Sequence, residues 1–199
     1  MKSCVVIDHY DSFTYNLVHL LEEKLSAEGR NFRLSIFRQD EVGLNEILAV
    51  NPTHILLSPG PGNPEDPEYF GVSESVLKIR NPYIKILGVC LGMQGIVTSF
   101  GGNLRRSKIP FHGKTSLISH DQQGVFSGIS KEIRVMRYHS LEGVSESLPP
   151  CLEISAEVED DDRVLMGVRH KILPIEGVQF HPESFATEGG YRIVENFLK

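Results

Sequence analysis

Residues 84–100 read Ile84-Lys-Ile-Leu-Gly-Val-Cys90-Leu-Gly-Met-Gln-Gly-Ile-Val-Thr-Ser-Phe100. Ile84–Val89 is an apolar run of strand length, and from Cys90 to about Phe100 the text turns helical with no linker between them. Gly88-Val89-Cys90-Leu91-Gly92 spans the junction. A cysteine at a strand-to-helix turn, with a glycine two residues to each side, has the form of a nucleophile elbow carrying sulfur in place of a hydroxyl. The turn lifts the side chain above the sheet, and small neighbours allow the backbones to close in. The helix N-terminus favours a thiolate, and the N–H of Leu91 is free to face a developing oxyanion. A buried cysteine at an αβ junction fits the same letters about equally well.

Outward from this junction, strand-like and helix-like segments alternate. Cys4–Ile7 and Ile55–Leu57 are further buried strands, and Phe32, Leu34 and Ile36 alternate with polar residues. Asp11 or Ser12 is placed to cap a helix carrying Phe13, Leu17, Leu20, Leu21 and Leu25 at helical spacing. Short helical stretches surround Ile47-Leu48 and Val72–Ile79, broken by Asn51-Pro52 and Asn81-Pro82. Continuous apolar strands separated by helices imply a parallel sheet covered on both faces. The second half reads differently, as short β-like runs at Ser116–Ile118, Ile133–Tyr138, Leu152–Ala156, Val164–Val168 and Ile175–Phe180. The acidic run Glu157–Asp162 reads as a hairpin loop, Arg169-His170-Lys171 as a solvated turn, and Gly190–Leu198 as a closing helix. The expectation is one α/β domain over residues 1–199: a mostly parallel central sheet, helices on both faces, and antiparallel ribbons added in the second half.

Composition narrows the class. The 199 residues carry a net charge of −6 and no basic run, which excludes nucleic acid and anionic membrane as expected partners. No apolar run approaches a membrane span and none at the N-terminus resembles a signal core, so a cytoplasmic enzyme is expected. Cys4, Cys90 and Cys151 are odd in number and widely spaced, which suggests neither a disulfide framework nor a zinc knuckle, and no metal-site spacing occurs.

A thiolate nucleophile needs a histidine held by a carboxylate. Of eight histidines, His9 and His181 have a carboxylate two residues on, at Asp11 and Glu183, where alternate residues of an extended chain share a face. Spacing does not choose between them, although Pro182 stiffens the second pair. Ser58-Pro59-Gly60-Pro61-Gly62 is a rigid loop whose glycines let N–H groups converge on a ligand oxygen; no Gly-Lys-Ser/Thr follows, so it is not a phosphate-binding P-loop.

Together these pieces resemble the class I, triad-type glutamine amidotransferases. The likeness runs from Val5 to Leu198 and is carried by Pro59-Gly-Pro-Gly62, Gly88-Val-Cys-Leu-Gly-Met-Gln94 and Gln179-Phe-His-Pro-Glu-Ser184 in that order. Asp8-His-Tyr-Asp-Ser-Phe-Thr-Tyr-Asn16, Phe111-His-Gly-Lys114 and Tyr138-His-Ser-Leu141 are similar to the branch that serves chorismate-using synthases. His9 and Met93 depart from that branch, which most often has asparagine and histidine there; at Met93, one turn beyond Cys90, the departure bears on partner contact or activation.

The resemblance implies a triad of Cys90, His181 and Glu183, and an oxyanion hole from the N–H groups of Gly62 and Leu91. It implies L-glutamine held by Gly60, Pro61, Gly62, Gln94, Ser140 and Leu141. It implies no cofactor in this chain, and ammonia passed to a separate chorismate-binding synthase subunit that carries Mg2+. That partner is the anthranilate synthase or the aminodeoxychorismate synthase, or both share this chain. The rival readings are a stand-alone γ-glutamyl hydrolase and a catalytically silent regulatory subunit, disfavoured by the opening motif and by the intact triad.

Overall fold

The computed structural model describes residues 2–27, 32–158 and 163–199. The elements run β1 (Lys2–Asp8), α1 (Thr14–Ala27), β2 (Phe32–Arg38), α2 (Leu44–Ala49), β3 (His54–Leu57), α3 (Pro67–Phe70), α4 (Val72–Lys78), β4 (Lys85–Val89) and α5 (Leu91–Ser99). They continue as β5 (Leu104–Arg106), β6 (Lys114–His120), β7 (Glu132–Arg137), β8 (Leu141–Gly143), β9 (Leu152–Val158), β10 (Leu165–His170), β11 (Ile175–Val178) and α6 (Gly190–Phe197).

Among the described residues nine strands form one sheet in the order β2-β1-β3-β4-β11-β10-β9-β6-β7. From β2 through β11 every neighbouring pair is parallel. From β11 onward every pair is antiparallel. A small ribbon, β5 with β8, stands apart. The expected antiparallel ribbons are therefore continuous with the parallel sheet.

Burial explains why β1 reads as unbroken apolar text. Cys4 and Val6 pack on one face with α1 and α6, through Leu17, Leu21, Ile193 and Phe197. Val5 and Ile7 pack on the other with α2, α4 and α5, through Ile47, Leu77, Met93 and Ile96. A strand buried on both faces has no polar alternation to show.

Two expectations are corrected. Helix α1 starts at Thr14, and Phe13 lies just before it, because Asp11 accepts the Phe13 N–H through Oδ1 at 2.7 Å and the Thr14 N–H through its carbonyl at 3.2 Å, closing a turn ahead of the helix. The side chains of Leu25 and Phe32 lie outside the described residues. Arg169-His170 is not a solvated turn: Arg169 sits in β10, its guanidinium reaching Asp121, Glu153 and Glu176 at 2.6–3.3 Å, and His170 is buried against Phe100. Of the acidic run, 159–162 lies outside the described residues, while β9 and β10 on either side pair antiparallel as a hairpin requires. Among the described residues no helix is long and apolar enough to cross a membrane.

Candidate active site

The parallel strands end along one edge, and the chemistry-bearing loops follow β3, β4 and β11. Register sets their order: Val89 lies opposite Val178, and the Cys90 N–H donates to the Val178 carbonyl at 2.8 Å. The Cys90 carbonyl accepts the Gln94 N–H at 3.0 Å, the first bond of α5. One residue thus ends a ladder and starts a helix, at φ 52° and ψ −102°. That region costs a non-glycine residue about 1–3 kcal/mol, and such strain persists where the surroundings over-determine it.

The two elbow glycines are what permit it. A Cβ on Gly88 would stand 2.5 Å from the Gly92 backbone, and one on Gly92 would stand 2.4 Å from the Leu57 carbonyl oxygen. Helix α5 therefore lies directly on the ends of β3 and β4. Leu91 is its first residue, so its N–H has no earlier carbonyl within the helix to receive it.

His181 follows β11 by three residues. Its N–H donates to the Met136 carbonyl of β7 at 3.0 Å, and its own carbonyl accepts from Ser184 N and Thr187 Oγ1. The ring is buried, Nδ1 lies 2.6 Å from Glu183 Oε1, and the edges of Phe13 and Tyr138 bound it. Burial pushes the imidazole down, but Cys90 and then Glu183 outweigh it and lift it to about 10. Nε2 makes no formed hydrogen bond, although Cys90 is the leading favourable influence on its charge. These features bring Cys90, His181 and Glu183 together in the arrangement expected of a nucleophile, a proton carrier and its orienting acid.

His9 is excluded from that role. Its Nδ1 is 3.0 Å from the Ser58 carbonyl, its Nε2 is 2.9 Å from Ser73 Oγ, and its ring stacks on Phe70. Burial holds it down at about 4, so it is neutral at physiological pH. Its service is indirect: a Cβ on Gly60 would meet His9 Cβ at 2.5 Å and Leu91 Cδ2 at 2.7 Å, so His9 and α5 grip the 58–62 loop between them. Gly62 is at φ 82°, closed over the Tyr69 ring.

The remaining expected residues divide into two groups. Gln94 and Leu141 are brought together, Gln94 Nε2 lying 2.9 Å from the Leu141 carbonyl. Pro61, Gly62 and Ser140 are exposed at the edge. Met93 is fully buried, its side chain against the bare Cα of Gly177, so its departure from the expected histidine is absorbed in the core and reaches no surface.

The chain matches the class-I glutamine amidotransferase family over residues 5–199. It is a member of that family. The amidotransferase is 48% identical over 196 residues to anthranilate synthase component 2 of Leptospira biflexa, covering 98% of each chain. It is 47% identical over 198 residues to the protein of the same name from Pseudomonas aeruginosa, covering 98% of this chain and 94% of that one. Among solved structures it superposes with a TM-score of 0.83 on a Thermoplasma acidophilum protein described as a candidate GMP synthase component, at 28% identity over 100% of this chain and 92% of that one.

Sequence reasoning assigned no role to Gln179, Phe13, Tyr138 or His139, all of which the amidotransferase places in or beside the site. Gln179 stands two residues before His181, the same interval that separates His181 from Glu183, at which an extended chain repeats a face. Phe13 carried a misleading signal, because its spacing fits the helix it precedes.

Proposed function

We propose that this chain is the glutaminase component of an anthranilate synthase, splitting L-glutamine and passing ammonia to a separate chorismate-binding subunit. The reading is carried by the bond of 2.6 Å between His181 and Glu183, with His181 set against a strained Cys90 at a helix N-terminus.

Glutamine lies over the sheet edge, held by the Gly60-Pro61-Gly62 loop, Gln94, Ser140 and Leu141. The Cys90 thiolate attacks the carboxamide carbon, and the carbonyl electrons move onto oxygen. The N–H groups of Gly62 and Leu91 meet that oxyanion, each worth roughly 3–4 kcal/mol in comparable sites. His181 gives its proton to the departing nitrogen while Glu183 supports the imidazole. Ammonia leaves and a γ-glutamyl thioester remains on sulfur. Water, deprotonated by His181, attacks the thioester, releasing glutamate and restoring the thiolate. No cofactor takes part in this chain; Mg2+ belongs with chorismate on the synthase.

Ammonia released into water is protonated and loses its nucleophilicity, so direct transfer to a docked partner is required. The surface beside the triad suits docking. A cavity of about 220 Å³ opens beside His181 between Phe13, Asn16, Tyr138 and Phe185, and Phe185 is fully exposed. An exposed aromatic side chain at the rim of that cavity supports a partner docking there.

The test mixes the protein with Mg2+, chorismate, glutamine and either the chorismate-binding component of anthranilate synthase or that of aminodeoxychorismate synthase. Glutamine-dependent anthranilate is expected with the first, falling about a thousandfold or more in Cys90→Ser while ammonium-dependent synthesis survives. Undiminished glutamine-dependent product in Cys90→Ser overturns the nucleophile. Product only with the second synthase reassigns the partner.

A further inference from the structure

A fully buried side chain outside the triad faces the nucleophile: Gln179 Nε2 lies 3.6 Å from Cys90 Sγ. Which end of a side-chain amide meets a neighbour is decided by what that neighbour can do, and two groups here have no choice. Arg137 only donates. His139 Nε2, 3.0 Å from Arg137 Nε, is therefore an acceptor, and the imidazole proton sits on Nδ1, which donates to the Leu141 carbonyl at 2.9 Å. That carbonyl only accepts, so the Gln94 atom 2.9 Å away is the amide nitrogen. The same nitrogen lies 3.2 Å from Gln179, which must present its oxygen there. The Gln179 nitrogen is left pointing at sulfur. His139 stays neutral because burial and the Arg137 cation push it down to about 3, so the direction of the chain does not reverse in the working pH range.

We propose that Gln179 is a further catalytic residue of glutamine hydrolysis, a one-way N–H donor that stabilises Cys90 as the thiolate, with Gln94, Leu141, His139 and Arg137 as the positioning residues behind it. A donor that cannot accept has more to offer a sulfur anion than a thiol, because a hydrogen bond to a charged acceptor is the stronger one. The displaced thiol proton goes to His181 Nε2, with Glu183 behind it, and nothing else is exchanged. His181 faces Cys90 as a titratable group; Arg137 and His139 stand at the far end of the hydrogen-bond chain. The inference rests on Cys90 being the nucleophile.

The experiment follows alkylation of Cys90 by iodoacetamide from mild acid to alkaline pH, read on the Cys90 peptide because Cys4 and Cys151 are also free thiols. Gln179→Met keeps the volume and removes the donor. The rate profile is expected to move to higher pH, with about tenfold slower alkylation at neutral pH and an unchanged alkaline plateau. Gln179→Glu turns an anion toward the sulfur, moves the profile further the same way, and serves if the methionine variant does not fold. A profile unmoved in pH, or lowered equally at every pH as a merely structural role predicts, overturns the assignment. Cys90→Ala run beside them separates the two claims. If it abolishes glutamine turnover while the Gln179 profiles stay put, only the role of Gln179 falls; if it still turns glutamine over, the nucleophile itself falls.

Discussion

His181 stands between two opposed influences, a buried setting that favours the neutral ring and two partners, Cys90 and Glu183, that favour the cation and prevail. Glu183 is buried as well, with Oε1 on the imidazole and, among the described residues, Oε2 without a hydrogen-bond partner. Glu183→Gln keeps the shape and removes the charge. Its amide either donates to Nδ1 and forces the wrong tautomer or accepts weakly from it. The expected result is a fall of roughly 10³–10⁴-fold in kcat at saturating glutamine, measured as glutamate release, with little change in KM. His9 shows how far residue spacing carries such an assignment. The same two-residue interval to a carboxylate occurs at Asp11, yet Asp11 turned to the Phe13 N–H and His9 to Ser58 and Ser73. Spacing says which residues share a face; what they meet across space is written in other segments.

Among the elements, the junction of β4 and α5 was legible because its requirement is local: glycine at 88 and 92 is needed wherever a helix must lie against two strand ends. Gly92→Ala tests this. The added methyl would stand 2.4 Å from the Leu57 carbonyl oxygen, a backbone atom that cannot swing aside. Helix α5 would have to lift, carrying the Leu91 N–H with it. The expected cost is about 1–3 kcal/mol in urea unfolding, with kcat falling more steeply than KM rises. Other elements concealed their roles. In β10, Arg169 beside His170 and Lys171 looks solvated on paper, but its three carboxylate partners, Asp121, Glu153 and Glu176, come from three separate segments. Met93 reads as a departure bearing on partner contact or activation, and the bare Gly177 on the neighbouring strand shows that it fills a gap in the core.

For the molecule as a whole, the parallel half of the sheet was readable because strands buried on both faces leave unbroken apolar text, as at Val5–Ile7 and Ile55–Leu57. The joining of β9, β6 and β7 was not, since antiparallel pairing over long sequence separations leaves no local trace beyond alternation. A second property of the entire fold is the set of histidines it buries as neutral rings. His9 is held down at about 4 by burial, partly opposed by its bond to Ser58, and His54 at about 4 by burial with Lys2 and Lys85 nearby. His139 lies at about 3. In the unfolded chain each takes up its proton near 6.5. Between the two values the unfolded state binds more protons than the folded one, so stability rises with pH across that window and is lost on acidification. For His9, fully enclosed, the loss between neutral pH and pH 5 is about 2 kcal/mol. Thermal unfolding should therefore show a melting temperature that drops as pH falls from 7 to 5, and His9→Asn should flatten the drop without abolishing it, since His54 and His139 remain. A His9→Asn protein whose melting temperature falls as steeply as the parent's would show that His9 is not held neutral by the fold.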